Sequence, residues 1–183
     1  LAEYRRHRQR QRRRRLLDPA IRPNAAHVAL ARLEAAWPGE MLLVTQNIDG
    51  MHQRAGSRRV IELHGSLWRV RCPVDGRSED VGETYRHYRC ECCGNWLRPD
   101  ITWFGDRLDE DVWDRAVAAI RACDLFVGIG TSGTVYPAAG FPRFARENGA
   151  RLIEINPEAN DLSGLYDEAF RDAAGRVLPE LFA

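Results

Sequence analysis

Three clusters of residues have the types and spacing to do chemistry. The first is TQNIDG at 45–50, which sets Gln46, Asn47 and Asp49 within four positions, followed by a lone His64 in ELHG. Amide and carboxylate side chains can hold an amide or a ribose. An imidazole that titrates near neutral pH can act as general base toward a sugar hydroxyl. Taken alone, His64 could equally be a histidine satisfied within a core. The second cluster is the small-residue turn Gly130-Thr131-Ser132-Gly133, where backbone N–H groups can meet phosphate, with Asn156-Pro157-Glu158 further on, suited to reading a ribose or base. The third is metal chemistry: Cys72, then Cys90-Glu91-Cys92-Cys93. Cys90 and Cys93 have the C-x-x-C spacing that tetrahedral zinc takes from a tight turn, with partner ligands arriving from elsewhere. Three residues after Cys72 stands Asp75, so the fourth place is open between that carboxylate and Cys92. A reduced, metal-free loop is the alternative, but so small a module has too few apolar residues to hold itself together.

These residues need strands to present them. MLLV at 41–44 is a short apolar run ahead of the first cluster, and Val60 to Leu63 is a second, delivering His64 beside Gly65, where backbone can approach closely. Leu125 to Ile129 has a buried-strand pattern ahead of the GTSG turn, and Arg151 to Ile155 precedes Asn156. Between them the spacing predicts helices. One follows Pro23-Asn24, with Ala26, Leu30, Leu33 and Trp37 on one core-facing stripe, His27 beside it, and Pro38-Gly39 as the stop. Another runs from Asp109 through Val112, Ala116 and Ile120, and Pro137 suits the first turn of a third. The tail from Asp167 reads as a short helix and a closing segment. Strands alternating with helices argue for an α/β fold whose polar strand ends converge on one edge of a parallel sheet, the edge that binds ligands. Between about Leu67 and Pro99 apolar periodicity fades. Trp103-Phe104-Gly105 then either plugs a core or lines a groove against a peptide.

Composition narrows the class. The 183 residues can bury one sizeable core with room for a small module, and no apolar run reaches the length of a membrane span. No signal-peptide pattern is present, so the cytoplasm is the expected location and no membrane partner is expected. Three clustered cysteines out of five suit metal better than a disulfide framework. Residues 5–15 hold eight arginines, so the other nineteen basic residues face twenty-six acidic ones, net negative by seven; no residue is lysine. The arginine run could be an electrostatic arm for a polyanion, although aromatic interleaving is absent after Tyr4. A solvated helix face or a frayed terminus is the reading preferred for it. Nothing else points to nucleic acid. The chain begins with Leu1 rather than methionine, as a fragment would.

The ordered set TQNIDG, ELHG, VRC, CxCCGNWLRPDITWFGD, GTSGTVYPAAGF and INPE resembles the sirtuins, NAD-dependent protein lysine deacylases, most closely the bacterial branch that removes acetyl and short acidic acyl groups. The resemblance covers the chain from about Pro19 onward. It implies a Rossmann-like parallel sheet with crossover helices in residues 1–64 and 106–183 and a small zinc-binding module in 65–105. It implies that Gln46, Asn47, Ile48 and Asp49 bind the nicotinamide and ribose side of NAD and that His64 is the catalytic base. Gly130, Thr131 and Ser132 would contact the phosphate and ribose portion, Asn156, Pro157 and Glu158 the adenosine side, and Ala174 the base. Trp103, Phe104, Gly105 and Val135 would clasp an acyl-lysine peptide by strand-like pairing. One structural zinc would sit on Cys72, Cys90 and Cys93. In the implied reaction the acyl oxygen attacks the ribose carbon as nicotinamide leaves. His64 then takes a proton from a ribose hydroxyl that attacks the acyl carbon.

Three departures qualify this. The glycine-rich GAGxS strand-turn-helix and its SGIPDFR-like loop, which supply much of the pyrophosphate site, have no match in these residues. The parallel sheet is therefore expected to be incomplete at its N-terminal side, with weak or no NAD turnover. Desuccinylating sirtuins carry a tyrosine and an arginine three residues apart; ungapped counting puts Gln9 and Arg12 there, with Tyr4 five residues off, so deacetylation is better supported than desuccinylation or demalonylation. Asp75 stands where a second cysteine is usual. The competing functional readings are a non-catalytic zinc-binding or nucleic-acid-tethering remnant that uses the arginine arm, and mono-ADP-ribosyl transfer at the same site.

Overall fold

The computed structural model describes residues 2–182, with side chains from residue 7 onward, so the side chain of Tyr4 lies outside the described residues. In chain order the elements are α1 (Ala2–Leu16), α2 (Ala25–Ala36), β1 (Leu43–Thr45), α3 (Met51–Ala55), β2 (Val60–Glu62), β3 (Gly65–Cys72), β4 (Gly76–Glu79), β5 (Arg98–Ile101), α4 (Glu110–Ala122), β6 (Leu125–Ile129), α5 (Phe141–Glu147), β7 (Arg151–Ile155), β8 (Glu168–Phe170) and α6 (Ala174–Leu181). The fold is α/β and Rossmann-like, with its parallel strands in two pieces: β1 beside β2, and β6-β7-β8 in that order.

Hydrogen-bond parity shows which edges the pieces leave open. Leu43 N–H donates to Arg59 O and Leu63 N–H to Thr45 O, so Leu43 and Thr45 face β2 and Val44 turns its backbone groups the other way. In β6, Asp124 O accepts from Arg151 N–H and Gly130 N–H donates to Ile155 O. Residues 126 and 128 therefore face β7, and the backbone groups of Leu125, Val127 and Ile129 point to the open side. The pieces are held in one layer by shared cores. Ile61 and Leu63 pack with Ala116, Ile120, Phe141 and Leu152 on one side, while Ala26, Leu30, Ile155 and Leu178 pack with Leu43 and Val127 on the other. Leu125, at the start of β6, is 40% exposed where the sequence pattern predicts a buried strand, whereas Val127 and Ile129 pack against the second core.

Local signals account for most helix boundaries. Asn24 caps α2 by accepting from His27 N–H, and the His27 ring in turn meets the Asn24 backbone, a reciprocal capping box. Trp37 departs from the expected stripe. The helix ends at Ala36, Trp37 takes extended backbone angles, and its side chain is left exposed. Asp109 caps α4 with Glu110 and Asp111 in its first turn, and Ala116 and Ile120 are buried as their spacing predicts. Pro137 leads into a short 3-10 turn, Ala138–Gly140, and α5 starts only at Phe141. The tail contributes a strand, β8, before its helix. No helix among the described residues is long and apolar enough to cross a membrane.

The segment in which periodicity fades forms an antiparallel sheet, β4-β3-β5. Ion pairs tie it to the parallel layer. Arg69 of β3 bridges Glu62 at 2.6 Å and Asp100 at 3.1 Å, and Arg77 of β4 reaches Asp100 at 3.0 Å and the α4 cap Asp109 at 2.6 Å. The arginine run is helical, and Arg8, Arg12, Arg14 and Arg15 are exposed as on a solvated helix face, but its other face is docked. Arg13 is 0% exposed, donates to Leu67 O at 2.8 Å, pairs with Asp80 at 2.7 Å and lies 3.8 Å from the Tyr85 ring centroid. Gln9, one turn earlier, is buried on the same face.

Candidate functional site

The parallel pairing of β1 and β2 sets Thr45 opposite Glu62, so the residues that follow each strand emerge side by side. This brings Gln46 and His64 together: His64 Nδ1 lies 3.0 Å from Gln46 O. A carbonyl only accepts, so Nδ1 carries the proton and Nε2 is left as the basic nitrogen. Gly65 has φ +79°, and a Cβ there would lie 2.0 Å from Asp100 O, so only glycine lets β5 approach. Thr102 N–H donates to His64 O at 2.9 Å, which fixes the start of the Trp103-Phe104-Gly105 loop against the histidine's own backbone.

The rest of the 46–49 segment is held by its backbone. Asn47 N–H donates to Thr45 Oγ1, Ile48 O accepts from Leu67 N–H, and Asp49 O accepts from Trp68 Nε1 at 2.7 Å. The Asp49 carboxylate accepts from Met51 N–H, opening α3, and the Asn47 side chain is exposed. Two histidines face each other nearby, His27 and His52, with ring centroids 4.7 Å apart. Burial pushes both below their usual value, His27 adds to the effect on His52, and Asp49 opposes it in each.

The second half of the site lies at the ends of β6 and β7. Asn156 Nδ2 donates to Thr131 O at 2.9 Å, so the GTS turn and the NPE segment form one unit. Gly130 has φ +60° with no atom within 4 Å of where a Cβ would stand, leaving open space over the turn. Ser132 Oγ lies 2.9 Å from Thr134 Oγ1. Pro157 and Glu158 are exposed, and Ala174 opens α6 against the core that contains Leu178. Two residues of this half went unnoticed in the sequence. Asn160 also donates to Thr131 O, and Arg171 donates to the carbonyls of Asn156 and Glu158 while pairing with Glu154 at 2.6 Å. Asn160 lies only four residues past Asn156; nothing in the sequence marks Arg171.

The substrate-side residues are more open. Phe104 is 94% exposed, Gly105 has φ +88°, and Trp103 stacks under the Arg98 guanidinium at 4.6 Å. Val135 is half-buried beside the exposed Tyr136. Arg12 lies on the exposed face of α1, around a shallow pocket with Arg8, Gln11 and Arg15, whereas Gln9 faces inward.

The cysteines fit a metal. The sulfurs of Cys72, Cys90 and Cys93 lie within 4.8 Å of one another, and an overlapping set groups Asp75, Cys90 and Cys92. The backbone N–H of Asp75, with that of Val74, holds the Cys72 thiol below its ordinary value against the opposing effect of burial, favouring the thiolate that a metal needs. Three converging soft donors in a small module suit zinc.

Comparison with known proteins bears on the family. A model described as the Sir2 family matches residues 3–137. A relative from Aquifex aeolicus (strain VF5), named NAD-dependent protein deacylase, is 42% identical over 176 residues, covering 92% of this chain and 71% of its own length. One of the same name from Yersinia pseudotuberculosis is 45% identical over 175 residues, covering 93% and 62%. Among solved structures, a Sir2 homolog in complex with NAD superposes with a TM-score of 0.80 at 41% identity, over 88% of this chain and 64% of that one. A Sir2 complex with a p53 peptide and NAD+ gives 0.75 at 30% identity, over 87% and 69%.

Proposed function

The chain belongs to the Sir2 family, and from that premise we propose that it is an NAD-dependent protein lysine deacylase whose catalytic base is His64. The observation that carries this is the His64 Nδ1 contact with Gln46 O, which leaves Nε2 free to take a proton at the mouth of the strand ends. Bound NAD supplies an electrophilic ribose carbon and the hydroxyls that receive the acyl group. Around it, Asn47, Ile48 and Asp49 present backbone and polar atoms to the nicotinamide side, held by Thr45, Leu67 and Trp68. Gly130, Thr131 and Ser132 face the phosphates and ribose, and Asn156, Pro157, Glu158 and Ala174 the adenosine. The open space over Gly130 and the Asn156 brace beneath Thr131 support that assignment. An acyl-lysine protein or peptide is the partner, lying across Trp103, Phe104, Gly105 and Val135; the Sir2 structure with a p53 peptide supports this class. Cys72, Cys90 and Cys93 hold a structural zinc in a module spanning residues 65–105. A cytoplasmic setting suits its free thiols.

Acetyl is the favoured acyl group, since Gln9 stands in the tyrosine's counted place and faces inward. The test uses the chain extended at its N-terminus by a GAGxS-type segment, assayed for nicotinamide release with an acetyl-lysine peptide. We expect release that depends on the acetyl group and is lost in His64→Ala with unchanged circular dichroism. Release onto unmodified protein would point to mono-ADP-ribosyl transfer, and activity retained in His64→Ala would overturn the assignment of the base.

A further inference from the structure

Two turns of the small module repeat one spacing. Residues 72–75 and 90–93 each place a metal donor at the first and fourth positions, Cys72 with Asp75 and Cys90 with Cys93. In the first turn Val74 N–H donates to Cys72 Sγ at 3.4 Å. By this spacing the two turns correspond position by position: Cys72 to Cys90, Val74 to Cys92, Asp75 to Cys93.

The turns also face each other reciprocally. Cys72 Sγ lies 3.4 Å from Cys93 Sγ, and Cys90 Sγ lies 3.5 Å from Asp75 Oδ2. The first position of each turn meets the fourth position of the other. Around tetrahedral zinc, bond lengths of about 2.3 Å to sulfur and about 2.1 Å to oxygen give sulfur–sulfur edges of about 3.8 Å and sulfur–oxygen edges of about 3.6 Å. Both cross-turn distances are within a few tenths of an ångström of these edges, while Asp75 groups with Cys90 rather than with all three sulfurs, so its carboxylate swings toward Cys72 and Cys93 when the metal binds.

We propose that Asp75 is the fourth zinc ligand, closing a site of three thiolates and one carboxylate, and that Cys92 stands beside the metal without binding it. Cys92 is the competing donor, since its sulfur lies within 4.8 Å of both Asp75 and Cys90. It occupies the third position of its turn, however, and the corresponding Val74 is 72% exposed. The assignment is independent of the deacylase reading, because it concerns only how the module holds its metal.

Cobalt(II) loaded into the full chain tests it, because sulfur-to-cobalt charge-transfer absorbance counts thiolates and the visible bands report the donor set. We expect Cys92→Ser to leave the spectrum and the one-to-one stoichiometry unchanged, and Asp75→Asn to weaken cobalt and zinc binding tenfold or more in competition with a chromophoric chelator. Asp75→Cys keeps four donors, so it should fold, with charge-transfer absorbance raised by about a third as thiolates go from three to four. Loss of one thiolate's absorbance in Cys92→Ser would overturn the proposal in favour of Cys92. Unchanged affinity in Asp75→Asn would overturn it in favour of water.

Discussion

At the scale of single residues, the site depends on a histidine and the glycine beside it. His64→Ala removes the basic nitrogen, and loss of a positioned general base costs about 10²–10⁴-fold in turnover; the extended chain assayed for nicotinamide release reads this directly. Gly65→Ala affects stability instead. It forces a left-handed backbone at about 1–2 kcal/mol and drives a methyl group into Asp100 O, adding about 1–3 kcal/mol of overpacking. Urea unfolding should give a loss of about 2–5 kcal/mol, and a loss below 1 kcal/mol would mean that β5 can move away. Much of this is legible in the sequence: TQNIDG and ELHG follow apolar runs of strand length, so their strand-end placement can be anticipated. The bond between His64 and Gln46 cannot, because it depends on the register in which Thr45 meets Glu62. Arg13 is hidden for a different reason. Among eight arginines in eleven positions nothing distinguishes the one that is buried, and its counterion Asp80 is 67 residues away.

At the scale of elements, two of the electrostatic contacts that hold the small sheet in place make separate predictions. Arg13→Met strands Asp80 in a buried position with Arg86 N–H as its remaining donor among the described residues. Breaking one side of a buried pair costs about 3–5 kcal/mol, and the double variant Arg13→Met, Asp80→Leu should recover most of that in the same denaturation experiment. The latch between β4 and α4 is more exposed and pH-dependent. The Arg77 guanidinium, aided by Val112 N–H, holds the Asp109 carboxyl below its usual range against burial. A carboxyl whose folded value is depressed stabilises the fold fully above its unfolded value, about 4, and loses that contribution as pH falls through the folded value. The melting temperature should therefore fall as the solution is acidified through this window, and Asp109→Asn should remove that part of the pH dependence. The sheet β4-β3-β5 itself was not legible. Trp68, Val70 and Cys72 do alternate with Arg69 and Arg71 in β3, but β4 has no apolar residue and is exposed throughout. The pairing of the strands is specified by ion pairs to Asp100 and by the cysteine turns, which an apolar pattern does not reveal.

At the scale of the whole molecule, the parallel layer is in two pieces, β1 and β6 each lack a partner strand on one side among the described residues, and the cofactor residues are divided between the pieces, Gln46 to His64 on one and Gly130 to Glu158 on the other. The α/β class and four of the five parallel strands could be read from apolar runs; β8, with its single large apolar residue Phe170, could not. The interruption is visible in the sequence only as an unmatched motif, and in the fold as the unpaired side of β6 among the described residues. It has a consequence for motion on the timescale of amide hydrogen exchange. In β6 the amides alternate between two fates: those of Phe126 and Gly128 are bonded to β7, while those of Val127 and Ile129 have no acceptor among the described residues. Exchange in heavy water should therefore be slow at 126 and 128 and fast at 127 and 129, whereas β7, paired on both sides, should be protected throughout. Adding the glycine-rich segment, whether fused or supplied as a separate peptide, should slow Val127, Ile129 and Val44 together if it pairs with both edges at once. Uniform protection along β6 without that segment would show that the edge is already covered. The alternation would make this strand its own internal control: one five-residue stretch reports, amide by amide, whether the two halves of the cofactor site have been joined into a single sheet.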